Sequence, residues 1–198
     1  MTRPVGIVLA GGASTRFGRD KVTSAFEGRP LVHHALDRLA EVTDRIVVVL
    51  APDAVVPPMP PTLVARIDIA HDAARHRGPL AGLAAALDTV PEDAATALVV
   101  GADMPRLVPA VLALLASSLD RQPGAAGVIL ESDPPATLPM AVDVDLARLA
   151  ANALLAEDRR SLRGLLEALH AIVIPVAAWR ALDPEGRTLD DVDLPADI

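Results

Sequence analysis

The sequence predicts an α/β domain: a mostly parallel central sheet between two layers of helices, in a three-layer α/β/α arrangement. Short apolar runs alternate with helically spaced segments from end to end, the pattern of successive strand–helix units. The runs are continuous rather than alternating in polarity, as in Val5-Gly6-Ile7-Val8-Leu9 and Ile46-Val47-Val48-Val49-Leu50. Such runs suit strands covered on both faces. Aromatic residues make up 2% of the chain against 52% apolar residues, so the core has to be built from Ala, Val, Leu and Ile.

The elements follow in order. A first strand is expected over residues 5–10. A glycine-rich turn follows and closes at Asp20-Lys21. A helix follows, which Pro30 can open and which Leu31, Val32, Ala35, Leu36 and Leu39 give an apolar face. His33 and His34 lie on this helix; adjacent histidines cannot form a metal pair on one helical face, and packing or solvation is expected. Residues 45–50 give a second buried strand, and the proline-rich segment 51–61 is loop. A third, short strand is expected over 63–69. Gly78-Pro79 starts a helix, and residues 97–103 read as a buried strand ending in an acid. A helix over 108–119, strands at 126–130 and 139–142, and helices over 145–155 and from 159 onward complete the alternation. Residues 171–176 give a late strand, expected at a sheet edge because of Pro175. Trp179, the single tryptophan, is expected to be a packing anchor.

The 198 residues suffice for one domain, 1–198, with a sizeable core. No repeat and no linker divides them. A formal net charge of -8 argues against a general nucleic-acid surface, although a local basic pocket can still hold phosphates. With no cysteine there is neither a disulfide nor thiolate chemistry. No charged leader with an apolar core opens the chain, and the first apolar run is too short to span a bilayer, so the expectation is no membrane association and a cytoplasmic location.

The chemistry begins in Leu9-Ala10-Gly11-Gly12-Ala13-Ser14-Thr15-Arg16-Phe17-Gly18-Arg19-Asp20-Lys21. A buried strand ending in tandem glycines, hydroxyls and cations is a candidate phosphate-binding loop. Glycines let the backbone approach closely, and inward-turned amides form an anion nest. Arg16, Arg19 and Lys21 add positive charge that an ordinary turn would not need. Two better-known loops are excluded. The dinucleotide fingerprint requires G-x-G-x-x-G, but Gly11 and Gly12 are adjacent. The ATPase loop requires G-x-x-x-x-G-K-[ST], but Gly12 and Gly18 are too far apart and Arg19 follows. A second acid stands at Asp103, just past a buried strand, where ligands bind in open α/β sheets. It can ligate magnesium together with substrate phosphates, or cap the next helix.

The opening stretch resembles the signature L-A-G-G-x-S-x-R-x-G-x-D-K of the nucleotidyltransferases that share a Rossmann-like fold, and looks most like their molybdopterin guanylyltransferase and cytidylyltransferase branch; every fixed position is met. Asp72 with Gly78-Pro79-Leu80-Ala81-Gly82 matches the family's aspartate and G-P-L-A-G segment, and Asp103-Met104-Pro105 matches its D-M-P motif. The ending 189–197 resembles its N-x-N-T-P-x-D motif, with Asp191 and Asp193 in place of the asparagines and Leu194 where threonine is usual. Pro139 resembles a loop proline that helps to cover the acceptor.

The resemblance implies a Rossmann-like nucleotidyltransferase that moves GMP from GTP to the phosphate of molybdopterin and releases pyrophosphate. Arg16, Lys21 and Asp103 would be the catalytic residues. Leu9, Ala10, Gly11, Gly12, Ala13, Ser14, Lys21, Asp72, Gly78, Pro79, Leu80 and Gly82 would bind the nucleotide, and Asp103 and Asp193 would hold Mg2+. The nucleotide side would be mainly 1–110 and the acceptor side mainly 111–198, with the C-terminal part over the sheet edge. Partners would be the small-molecule nucleotide and pterin phosphate, together with molybdoenzymes or cofactor-biosynthesis proteins. Other readings stay open: a CTP-dependent cytidylyl transfer to the same pterin, transfer to a sugar phosphate, and a non-catalytic nucleotide-binding protein. Gly82 suits either a ligand or close helix packing, and Arg159 and Arg160 either an acceptor phosphate or solvent. His71 and His76 would pair on a metal only if their segment were helical.

Overall fold

The computed structural model describes residues 3–10, 23–72 and 78–192. The first strand, β1, spans Val5–Leu9, and a small antiparallel hairpin, β2 (Ala25–Phe26) and β3 (Arg29–Pro30), leads into helix α1 (Leu31–Ala40). Strand β4 (Ile46–Leu50) follows, then β5 (Ile67–His71), helix α2 (Pro79–Thr89), strand β6 (Thr96–Gly101) and helix α3 (Pro109–Arg121). The second half runs β7 (Gly127–Leu130), β8 (Met140–Asp143), α4 (Val144–Ala156), α5 (Leu162–Ala168), β9 (Ile172–Ile174) and the short helix α6 (Val176–Trp179).

Seven strands make one sheet in the order β5-β4-β1-β6-β8-β7-β9. Only β8 runs against its neighbours; the pairs β4–β5, β1–β4, β1–β6 and β7–β9 are parallel. The chain therefore steps from β1 outward through β4 to β5, then returns to place β6 on the other side of β1. That reversal leaves a crevice beyond the carboxyl ends of β1 and β6, where ligands bind in folds of this kind.

Side chains along each strand alternate between two cores. Val8, Val48, Leu98 and Val128 face α1 and α3, whose Leu36, Leu39, Leu112 and Leu115 are fully buried. Ile7, Val47, Val49 and Val99 face α2, α4 and α5, meeting Leu80, Leu83, Leu87 and Leu165. A fully buried side chain of this size contributes about 1.5–3 kcal/mol by leaving water. The sheet is thus fixed from both faces, and the ends of its central strands are rigid platforms.

Several boundaries differ from expectation. The segment expected as a strand over 63–69 opens with a 3-10 turn, Val64–Arg66, and the strand itself is Ile67–His71. The Arg66 guanidinium bonds to the carbonyls of Ala40, Thr43 and Asp44, which holds that turn against the end of α1. The late strand stops at Ile174, because Pro175 opens α6 and the Glu131 carboxylate accepts the Val176 amide at 2.8 Å. Trp179 is the expected anchor: it is 1% exposed, and its indole N–H donates to the Glu131 carbonyl at 3.1 Å.

Candidate functional site

The carboxyl ends of β1 and β6 are stitched together. Leu9 lies in register with Gly101 and Val49. The Ala10 amide donates to the Val49 carbonyl at 2.9 Å, and the Ala102 amide to the Leu9 carbonyl at 3.0 Å. Leu9 and Ala10 therefore enter the crevice on a backbone held from both sides. Gly11, Gly12, Ala13, Ser14, Arg16 and Lys21 lie outside the described residues.

Asp103 stands in the turn after β6 and curls back over the strand it leaves. A Cβ placed on Gly101 would lie 2.3 Å from Asp103 Oδ1, so only glycine leaves room for the carboxylate there. The carboxylate thus rests above the end of β6, beside the end of β1. The Met104 amide closes the turn onto the Gly101 carbonyl at 3.3 Å. Glycine at a strand end often marks such a close approach, and this was the signal for Gly101 that the motif reading passed over.

The C-terminal segment returns to this turn. The Val192 amide donates to the Asp103 carbonyl at 2.9 Å, and the Val192 side chain is buried against Phe26 and Leu31. Asp191 is exposed beside it, and Asp193 lies outside the described residues. Upstream, Thr188 is fully buried and its hydroxyl accepts the Val108 amide at 3.1 Å. Asp183, also buried, accepts the Thr188 amide at 2.7 Å and the Arg187 amide at 3.1 Å. Burial alone would raise the Asp183 pKa, but the amide and hydroxyl of Thr188 and the amides of Arg187 and Gly186 outweigh it and hold the carboxyl below its ordinary range. The segment after α6 leaves the sheet edge, where β9 lies. It crosses back to the central strands.

Asp72 and the 78–82 segment lie at the end of β5 and the start of α2. Asp72 follows β5, is 8% exposed, and donates its amide to the Leu50 carbonyl at 2.9 Å. Gly78 precedes α2 with φ +81, a conformation that suits glycine, and a Cβ there would sit 2.8 Å from the Arg160 carbonyl oxygen. Pro79 takes the first helical turn. Leu80 is fully buried, and its amide faces the Arg160 carbonyl at 3.4 Å. Gly82 lets α2 press onto β4, since a Cβ would meet Val49 Cγ1 at 3.1 Å; the packing reading of this glycine has a direct counterpart. The segment before α5 thus packs its backbone on the start of α2. Arg160 pairs with Asp158 at 2.5 Å and Arg159 lies near Glu157 and Glu167, all on the surface.

The remaining candidates separate from the site. His33 and His34 bond through Nε2 to the carbonyls of Pro58 and Phe26. His71 is in β5 rather than a helix, and His76 lies outside the described residues. A cavity of about 240 Å³ opens at the β7–β9 side of the sheet, under the loop containing Pro135 and Thr137 and beside Arg163 and His170.

A single carboxylate cradled at a strand end suits magnesium, which is held by one or two carboxylates while phosphates and water complete its shell. Among the described residues, no group of three or more His, Cys, Asp or Glu side chains could hold a metal ion alone. A metal held at Asp103 would need phosphate oxygens, water or further carboxylates to complete its shell.

The MobA-like NTP transferase domain family model matches residues 6–173. The chain belongs to this family. Its curated relatives include a protein of Chloroflexus aggregans named "probable molybdenum cofactor guanylyltransferase", 32% identical over 98% of this chain and 90% of that one. A molybdenum cofactor guanylyltransferase of Xanthomonas euvesicatoria is 35% identical over 90% of this chain and 86% of its own length. Among solved structures, molybdopterin-guanine dinucleotide biosynthesis protein A from Archaeoglobus fulgidus superposes with a TM-score of 0.77 at 24% identity, covering 98% of this chain and 94% of that one. The family's fold, a mostly parallel sheet with helices on both faces, is the fold seen in this chain. The chain is a nucleotidyltransferase.

Proposed function

We propose that this nucleotidyltransferase transfers GMP from GTP to the phosphate of molybdopterin. The observation that carries the reading is near full-length similarity to curated relatives named for that activity, at 32% and 35% identity. An oxygen of the acceptor phosphate attacks the α-phosphorus of GTP. A new P–O–P bridge forms, the bond from the α-phosphorus to the bridging oxygen breaks, and pyrophosphate leaves with that electron pair. The acceptor phosphate is already ionised near neutral pH, so no strong base is needed and the work is positioning and charge neutralisation.

Leu9 and Ala10 lead into the loop whose Gly11, Gly12, Ala13 and Ser14 amides would hold phosphates. Arg16 and Lys21 would neutralise the transferring and leaving groups. Asp72, Gly78, Pro79, Leu80 and Gly82 would shape the nucleoside side, with Leu80 and Gly82 acting through the packing of α2. Asp103, joined by Asp193, would hold Mg2+. Bound there, magnesium would supply charge neutralisation on the phosphate oxygens. The nucleotide side would fall mainly within 1–110 and the acceptor side mainly within 111–198 of a single domain. The location would be cytoplasmic, with molybdoenzymes or cofactor-biosynthesis proteins receiving the product and no nucleic acid or membrane involved. No described helix is long and apolar enough to cross a membrane.

Incubation with GTP, Mg2+ and molybdopterin, followed by mass spectrometry, tests the reading. The expected product is the guanine dinucleotide of the pterin with matching pyrophosphate. Pyrophosphate release that needs a sugar phosphate instead, or GTP binding without product, would reject it.

A further inference from the structure

The tail from Asp183 to Val192 is tied to the Asp103 turn at more points than chain closure requires. Thr188 accepts the amide of Val108 at 3.1 Å, just before α3. Asp183 fixes Thr188 by accepting its amide at 2.7 Å. Arg106 lies 3.6 Å from the Asp190 carboxylate and stands over the Phe26 ring at 5.2 Å from its centre. Val192 packs on that same Phe26 while its amide grips the Asp103 carbonyl. Phe26 in turn belongs to the hairpin that follows the Lys21 loop in sequence and meets His34 edge-on at 5.2 Å.

We propose that Thr188 and Val192 are positioning residues for Asp103: the tail clamps the Asp103 turn from behind and joins it to the β2–β3 hairpin, so that the carboxylate keeps one place above the end of β6. Three physical points support this. Gly101 allows the Asp103 carboxylate to fold back, but glycine adds no side-chain contact to hold the turn. The Val192 amide bonds to the backbone of Asp103 itself, so it restrains the turn without consuming a carboxylate oxygen. The clamp is anchored in buried groups, with Thr188 fully buried and Val192 2% exposed, so solvent does not compete with it. Misplacement of a reacting group by about 1 Å can cost about a hundredfold in rate. This inference rests on the reading of Asp103 as the metal-holding carboxylate.

The test uses the full chain with the substitutions Val192→Ala, Thr188→Val and Thr188→Ser. Mn2+ affinity in the presence of GTP is measured by electron paramagnetic resonance, beside kcat, the KM for GTP and the melting temperature. Clamping predicts that Val192→Ala and Thr188→Val weaken Mn2+ binding and lower kcat by about fivefold or more while KM for GTP stays within about twofold. Thr188→Ser, which keeps the hydroxyl, should restore both. Arg106→Gln, at a side chain 44% exposed, carries the same comparison if Val192→Ala does not fold. Unchanged Mn2+ affinity and kcat in the folded variants would overturn the inference, as would equal losses in Thr188→Ser or a wild-type chain that binds no Mn2+ with GTP. A wild-type chain that binds Mn2+ and GTP but makes no pterin dinucleotide would reject the proposed function, and the affinity comparison would still decide the clamp.

Discussion

In the proposed reaction Asp103 and Lys21 would divide the chemistry between a negative and a positive group, and single substitutions separate them. Lys21→Ala should keep the melting temperature and lose about a hundredfold in turnover, the scale for removing one charge-stabilising donor. Turnover near wild type in a folded variant would remove Lys21 from the machinery. Asp103→Asn should lower turnover and flatten its response to Mg2+, whereas Asp193→Asn should do less, since asparagine is the residue in the family pattern. Superimposable Mg2+ titrations for Asp103→Asn and wild type would show that another group holds the metal. Asp183 acts on stability instead. Its carboxyl is held below the ordinary aspartate value, so it stabilises the fold fully above about pH 4. That contribution fades as pH falls through the lowered folded value. Asp183→Asn should therefore be less stable near neutrality, by about 1–3 kcal/mol for the buried amides left poorly matched. Urea unfolding followed from pH 7 to pH 3 should show the gap to wild type narrowing in acid; a gap that widens would contradict this account.

At the scale of elements, the start of α2 and the C-terminal tail are the two pieces that the strands alone do not place. Gly78→Ala meets both a positive φ and the Arg160 carbonyl oxygen 2.8 Å away. It should cost about 1–3 kcal/mol and should displace the 158–161 segment, visible as a lower melting temperature and a weaker GTP affinity. An unchanged melting temperature would mean that α2 starts without this contact. The sequence made the start of α2 legible because Gly-Pro carries its own backbone instructions. The long apolar runs were legible for the same local reason, each being buried on both faces. Less accessible was the Val64–Arg66 turn, which depends on Arg66 reaching back to the carbonyls ending α1. The tail was harder still. Thr188 meets Val108 across 80 residues, and nothing local in R-T-L-D-D-V-D announces a partner so distant. The resemblance implied that Asp193 joins Asp103, but nothing in it showed that Val192 would be buried with Phe26 and Leu31.

For the whole molecule, the strand order puts β1 and β6 side by side and brings Leu9, Ala10 and Asp103 to one end of the sheet. The fold was legible because strand and helix patterns alternate along the full chain. The position of the crevice followed less directly, because it depends on where the chain reverses its direction of travel across the sheet. Base selection is a further step. All nucleoside triphosphates present the same phosphates, so the choice must lie in groups around the base, and a buried polar group left without its partner costs about 1–3 kcal/mol. That penalty corresponds to about fivefold to 150-fold in specificity. The decisive measurement supplies molybdopterin with equal concentrations of GTP and CTP, each labelled at the α-phosphorus, and counts the label joined to the pterin. The account predicts transfer of GMP with a kcat/KM advantage of about tenfold or more over CMP; a CMP product in comparable excess, or no label on the pterin, would contradict it.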